Sequence, residues 1–393
     1  MRETAEVVIV GAGVVGASVA HHLAAAGCTN VVLLEAEERQ GLGSTGQATG
    51  GARAQFADPV DIALSLHSLA EFERFEEETG HPCGYRPTGY VFLATGEDGL
   101  AALRATHARQ RDAGLRDVEL LDRDEVARAW TWLRTDDVAG AAFRQRDGLL
   151  EPLQVLHGYT SSAVRRGVRL RLGAPARAIR TSGGRVTAVV TDTGEIAARH
   201  VVNAAGPWAA VVARLAGVDI PVTTLRRELA CTTPFDGVPR GLPMTIDTGN
   251  GFHCRRDARP DGESGIILAW PDAYAAWPTE RTPDSAFPAR LWEHAVHRIP
   301  ALARTSLDPS RARAGWYEMT PDHRPLVGAA EEVEGFWLAA GFSGHGVMHS
   351  PATGRIVADL ILRGHTEVAD IGGLSPARFA GGSQIGMPAL RAL

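Results

Sequence analysis

The sequence predicts an α/β fold in which a Rossmann-like domain, assembled from separated pieces, is interleaved with a β-rich domain of mixed, mainly antiparallel sheet. Three observations predict it. A strand, a glycine turn, a helix and a second strand follow one another within residues 6–35. A second glycine-rich turn, again between a strand and a helix, begins far downstream at Gly341. Between the two lie short β-branched runs separated by Pro, Thr and Gly. The expected boundaries are 1–83, 145–220 and 312–370 for the first domain, 84–144 and 221–311 for the second, and 371–393 for a C-terminal tail.

Each element has its own warrant. EVVIV (6–10) is a β-branched strand, ASVAHHLAAAG has helical character up to Gly27, and VVLLE (31–35) is the next strand. Asp58-Pro59 is an N-cap followed by a first-turn proline. Ile62, Leu66, Leu69, Phe72 and Phe75 then recur at helical spacing until Gly80. GYRPTGYVFLAT (84–95) changes to short β runs. A helix is expected over 151–166 and three short strands over 168–202, leading into VVNAAGPWAA. GFHCRR (251–256) and GIILAW (265–270) read as the arms of a hairpin, and LWEHAVHRI (291–299) as a helix. A strand at 335–341 precedes a helix running to about 362.

Composition narrows the function classes. The chain is 393 residues long with 45% hydrophobic and 22% charged residues, as expected for a globular protein with buried cores. Its net charge of −6 comes without any basic block, so nucleic acid is not an expected partner. All 40 basic residues are arginine, which removes every lysine-based nucleophile or Schiff base from consideration. Cys28, Cys83, Cys231 and Cys254 form no CxxC pair and no zinc spacing, so no metal is expected and the thiols read as reduced and structural. No leader-like segment or uninterrupted apolar span is evident, and a cytoplasmic location is expected.

The first glycine turn is GxGxxG, with Gly11, Gly13 and Gly16. They serve, in order, the tight turn, the approach of a pyrophosphate and the packing of helix on strand. Glu35 ends the second strand, where an acid accepts hydrogen bonds from ribose hydroxyls. This fingerprint suits FAD and NAD equally. The second turn, GFSGHG (341–346), decides between them: a ligand spanning both turns is long and carries an electron-rich ring at the second helix N-terminus, as a flavin does. The loop GLGSTGQATGGARAQF (41–56), with five glycines, suits a backbone wrapped around such a ligand.

At these residues the chain resembles the FAD-dependent oxidoreductases of the D-amino-acid oxidase, glycine oxidase and sarcosine oxidase type, nearest the sarcosine oxidase-like, β-subunit-like branch. VVNAAGPWA, WYEMTPDHRPLVG and GFSGHGVMHSPATGR carry the likeness together with the first turn. The resemblance implies a glutathione-reductase-type FAD domain and oxidation of a C–N bond to an imine by hydride transfer to flavin N5. The substrate would be a small secondary amine or an N-substituted or cyclic amino acid. It implies cofactor contacts from Gly11, Ala12, Gly13, Val14, Val15, Gly16, Glu35 and Ala36, and from Ser44, Thr45, Gln47, Ala48, Thr49, Gly50 and Gly51. Further contacts are implied from Ala176, Ala205, Gly206, Trp208 and Gly315, and from Gly341, Phe342, Ser343, Gly344, His345, Gly346, Val347 and Met348.

Where the chain departs from the family, expectations follow. Gly315 stands in place of the cysteine, and Gln47 in place of the histidine, that tether the flavin in two branches, so FAD is expected to be non-covalent. Ile267 takes the place of an oxygen-activating lysine, and Met348 that of a carboxylate-binding lysine. Arg53 either binds a substrate carboxylate bidentately or ties its own loop down through backbone carbonyls. His253 and Arg255, on one face of a β-arm, are either substrate-pocket residues or a polar pair satisfied on a sheet face. The resemblance puts Tyr317 and Met348 on the flavin's substrate side, His345 is expected to hold flavin or substrate, and Asp322 and His323 read as a structural turn. Two other readings stand beside the oxidase. One is a dehydrogenase, alone, as a homo-oligomer or as the flavin subunit of a heteromeric complex; the other is a non-catalytic flavoprotein.

Overall fold

The computed structural model describes residues 3–258, 264–271, 274–275 and 284–379. Its first sheet grows from the strand Glu3–Val10, whose Val7, Val8 and Ile9 are wholly inaccessible, the signature of a parallel strand covered on both faces. Val31–Leu34 and Gly194–Asn203 pair parallel to it on either side. Arg169–Arg171 extends one edge in parallel, and Phe336–Ala340 and then Leu326–Ala329 extend the other. The three strands expected over 168–202 are four: Arg169–Arg171, Ala176–Ser182, Arg185–Thr191 and Gly194–Asn203, the last three forming an antiparallel meander.

One face of this sheet is covered by the helix Val14–Ala25, packed between Pro152–Arg165 and Gly346–Arg363. The contact with Gly346–Arg363 is close because Gly354 has no side chain: a Cβ there would stand 2.2 Å from Ser18 Oγ. Pro59–Glu73 starts as expected, with the Asp58 side chain accepting from the Val60 N–H, and the short helix Phe75–Thr79 ends at Gly80 with φ of 75°.

The second sheet has nine strands among the described residues. Its order is Tyr274–Ala275, Thr223–Cys231, Ser264–Ala269, His253–Ala258, Met244–Asp247, Tyr90–Thr95, Val138–Arg144 and Glu119–Asp122, with Arg313–Met319 also paired to Thr223–Cys231. Only Tyr90–Thr95 and Met244–Asp247 run parallel; the other pairs are antiparallel. The predicted hairpin is present, and its connecting residues 259–263 lie outside the described residues. Part of the tail assigned to 371–393 also lies outside them, beyond residue 379.

One boundary is corrected. Arg313–Met319, expected with the first domain in 312–370, pairs along its whole length with residues 223–229 of Thr223–Cys231 in the second sheet. This strand is therefore the seam between the two sheets: its Glu318 carbonyl accepts the Ser343 N–H of the downstream glycine turn. The helix Gly96–Asp112 had no counterpart in the sequence reading, because only Leu100 and Gln110 of its 17 residues are buried and its apolar periodicity is correspondingly weak.

Candidate active site

Both glycine turns open into one elongated cavity of about 620 Å³. At one end, Gly11 has φ of 104°, and a Cβ there would stand 2.4 Å from the Ala204 carbonyl oxygen, so only glycine fits. Gly13 precedes the helix Val14–Ala25 and offers it no side-chain cap; instead Thr45 Oγ1 accepts the Val14 N–H at 3.1 Å. Glu35 sits on the cavity wall. Its Oε2 accepts the Ala12 N–H at 3.3 Å and its Oε1 the Glu37 N–H at 3.2 Å, while burial pushes its pKa upward against these bonds. Ser44, also on the wall, donates to the Trp316 carbonyl at 2.7 Å and so ties the glycine loop to the seam strand.

The structure brings most of the expected residues onto this wall. Gly11, Gly13, Val14, Val15, Glu35, Ala36, Ser44, Thr45, Gln47, Ala48, Thr49, Gly50, Gly51, Ala176, Ala205, Gly206 and Trp208 line it. So do Gly315, Tyr317, Phe342, Gly344, His345, Gly346, Val347, Met348, Arg53 and His253. Five expected residues do not. Ala12 contributes its backbone N–H to Glu35, and Gly16 is a packing residue whose added Cβ would stand 1.9 Å from the Gly11 carbonyl oxygen. Gly341 packs on Thr320, and Ser343, at φ of 51°, turns its N–H to the Glu318 carbonyl.

Arg255 is the fifth, and sheet register explains it. His253 pairs with Ala269 and both line the cavity, whereas Arg255 pairs with Ile267 and both lie outside it. Two residues along a strand move a side chain roughly 7 Å, enough to carry Arg255 past the cavity's edge. The same register corrects Ile267: it packs with Leu229, Cys231 and Ala269, and it is Ala269 that reaches the wall. Asp322 and His323 form the expected turn. His323 has φ of 62°, and Arg378 bonds both Asp322 oxygens, at 2.8 and 3.1 Å.

At the far end, Arg53 is buried among aromatic rings, its guanidinium 3.9 Å from the centroid of Phe56 and 5.3 Å from that of Phe92. One arm donates to the Gln55 carbonyl, and the other points at His345 Nε2 from 3.4 Å. No described carboxylate lies within ion-pair distance of it. Burial is the main cause that lowers the pKa of Arg53 and holds His345 well below its ordinary value, with the Arg53 charge adding to the effect on His345. His253 donates through Nδ1 to the Gly251 carbonyl at 3.0 Å, which leaves Nε2 as an acceptor. Burial, then Arg227 and Arg53, lower its pKa as well.

Tyr317 seats its ring against Gly344, where a Cβ would stand 2.4 Å from Cε2, and Arg227 lies 5.6 Å from the ring centroid. Arg227, Tyr90 and Glu318 line the cavity and were missed from sequence. Glu318 was within reach, since it adjoins Tyr317 in a quoted motif. Arg227 needed the pairing of its strand with Arg313–Met319.

These residues fit FAD. The cavity joins a Cβ-free turn and an acid to a second helix whose N-cap, His345, makes no side-chain cap bond. Gln47 Oε1 is inaccessible and has no partner, as expected of a group that awaits a ligand donor. All four cysteines are buried and none lines the cavity. No group of three or more metal-ligating side chains is placed to hold an ion among the described residues. No described helix is long and apolar enough to cross a membrane.

Comparison with known proteins agrees with this geometry. The chain is 30% identical to FAD-dependent oxidoreductase domain-containing protein 1 of Xenopus laevis, over 96% of this chain and 83% of that one. It is 27% identical to the mitochondrial dimethylglycine dehydrogenase of Rattus norvegicus, covering 96% of this chain but only 45% of that enzyme. The crystal structure of L-proline dehydrogenase from P. horikoshii superposes with a TM-score of 0.88 at 28% identity, covering 96% of this chain and 98% of that one. The family described as DAO, FAD dependent oxidoreductase, matches residues 6–360, and the chain belongs to it.

Proposed function

We propose that this FAD-dependent oxidoreductase oxidises the C–N bond of an N-substituted or cyclic amino acid to an imine. The carrying observation is the buried Arg53 guanidinium, which lines the cavity with no described carboxylate at ion-pair distance, Asp147 and Asp61 acting on it only from farther off. A substrate carboxylate is its natural counter-ion. Dimethylglycine and proline, for which two of the relatives are named, both pair a carboxylate with an alkylated nitrogen.

When bound, FAD supplies the two-electron acceptor for a hydride leaving the carbon next to nitrogen. The chain's own residues prepare that loss. Arg53 orients the carboxylate, while Met348, Phe342 and Met244 present apolar surface that excludes water. Arg53 and Arg227 give this end of the cavity a positive potential, which favours the neutral amine over the ammonium ion. His253 Nε2 stands as an acceptor for the proton that the nitrogen releases.

Two finer points belong to the same proposal. FAD is held without a covalent bond, as Gly315 and Gln47 occupy the tethering places. After acid precipitation the yellow colour belongs in the supernatant; colour in the pellet refutes this. A dehydrogenase is favoured over an oxidase because the chain has no lysine to stand over the ring, and rapid peroxide formation by the isolated chain excludes that preference. The main test is anaerobic: sarcosine, dimethylglycine and proline are mixed with the holoprotein and the flavin absorbance is followed. Bleaching by at least one of these amines, and not by simple amines lacking a carboxylate, is expected. No bleaching across a broad panel of amines and amino acids ends the proposal.

A further inference from the structure

Glu318 is an acid on the cavity wall that the proposed chemistry does not use. It follows Tyr317 on the seam strand, so its side chain leaves the opposite face, away from Arg227 and toward the Gly206 turn. Its partner across the sheet, Thr224, reaches the same turn through a hydrogen bond from Oγ1 to the Pro207 carbonyl at 3.3 Å. Glu318 Oε1 accepts the Phe342 N–H at 3.4 Å. Oε2 is inaccessible and has no partner, and it lies 3.4 Å from the place a Cβ on Gly206 would occupy. Burial, opposed by backbone N–H groups of Phe342 and Gly341, pushes this carboxyl up to about 7. Glu318 itself remains only half-buried, and that residual exposure belongs to a residue lining the cavity.

Buried carboxyl oxygens are rarely left without a donor, since the unmet bond is unfavourable in a low dielectric. Here the protein gives Oε1 a donor and leaves Oε2 without one, beside Gly206, where a side chain would crowd it. To the ionised carboxyl the missing partner is a hydrogen-bond donor, which excludes the phosphates of a dinucleotide, acceptors that would repel a carboxylate, and selects the parts that carry hydroxyl or N–H groups. We infer that Glu318 is a cofactor-holding residue whose Oε2 accepts a hydrogen bond from a hydroxyl or N–H donor of bound FAD. Through Oε1 the same carboxyl keeps the downstream glycine turn in register with the seam strand.

The inference rests on the cofactor reading and is independent of the substrate. Its test is the affinity of FAD for protein stripped of flavin, read from quenching of flavin fluorescence, in the parent chain and in Glu318→Gln. The amide keeps an acceptor for Phe342 but loses the charge. An increase in Kd of about tenfold is expected, the scale of one charge-assisted hydrogen bond, with the thermal midpoint of the flavin-free protein unchanged. A Kd within about twofold of the parent overturns the inference. So does a weakening that merely follows a lower midpoint of the flavin-free protein, because Glu318 is then only a strap for the turn. If the amide variant does not fold, Glu318→Asp, which keeps the charge but withdraws it by one methylene, is read in the same way. A parent chain that binds no FAD defeats the cofactor reading too, which separates the two failures.

Discussion

Two buried clusters of ionisable side chains are wired in opposite ways. In the first, between the helices Val14–Ala25, Pro59–Glu73 and Pro152–Arg165, every bond closes inside the protein. His22 Nε2 lies 3.2 Å from Glu71 Oε2, Tyr159 donates to Glu71 Oε1 at 2.6 Å, and His21 Nδ1 meets Ser162 Oγ at 3.0 Å. Burial opposes the Glu71 charge, yet His22 and the Tyr159 hydroxyl draw its pKa down to about 2; Glu71 in turn raises His22 against burial. In the second cluster Arg53, His345 and His349 pack around Phe56 with no described carboxylate at ion-pair distance of the arginine, and His349 Nδ1 has no hydrogen-bond partner. The paired cluster serves the fold. On the function proposed above, the other is completed by a ligand, and that contrast is what would tell a binding site from a structural network when both are buried.

The largest expected effect breaks the comparison if it fails. Arg53→Met removes a buried cation that has no carboxylate at ion-pair distance, so kcat/KM for a carboxylate substrate falls about 10²–10³-fold, mostly through KM, while Tm stays level or rises. Steady-state kinetics beside a melting curve check both halves. A drop in Tm with unchanged KM would move Arg53 into the structural class.

Glu71→Gln has the opposite signature: about 3–5 kcal/mol of stability is lost, because His22 is left without its counter-ion, with kcat/KM unaltered at a temperature where the variant is folded. The pH dependence sharpens this. Glu71, depressed from 4.5, contributes stability above that value and loses it as pH falls toward about 2. His22, raised from 6.5, contributes fully below 6.5 and loses its share as pH rises through the raised value. The stability difference between parent and Glu71→Gln is therefore greatest between about pH 4.5 and 6.5, and chemical denaturation at several pH values reads it.

The smallest effect lies where the open cluster meets the fold. Ser65 Oγ stands 2.9 Å from His349 Nε2, and burial, followed by Arg53, drives the pKa of that imidazole down to about 3, so it is neutral. Ser65→Ala removes a neutral hydrogen bond and costs about 1 kcal/mol, measured by denaturant titration, with the pH profile unmoved near neutrality.

Legibility in the sequence followed how much one position constrains its neighbours. Gly11, Gly13, Glu35 and the turn before the helix Gly346–Arg363 could be read because each has a local geometric reason for its residue type. Arg227, Arg255 and Ile267 could not be placed, because whether a strand residue meets the cavity depends on cross-strand register, which is set by distant segments. Arg53 shows the limit within one residue. Of the two roles weighed for it the geometry holds the tie to a backbone carbonyl, that of Gln55, while the other arm points at His345 and the carboxylate role belongs to the proposal.

Glycine at position 315 limits how this site could be re-equipped. A Cβ at this position would stand 2.7 Å from the Cβ of Gln47, so the strand and the loop compete for one volume there. A cysteine introduced at 315 fits only if the backbone around Gln47 yields, and that backbone belongs to the loop that lines the cofactor cavity.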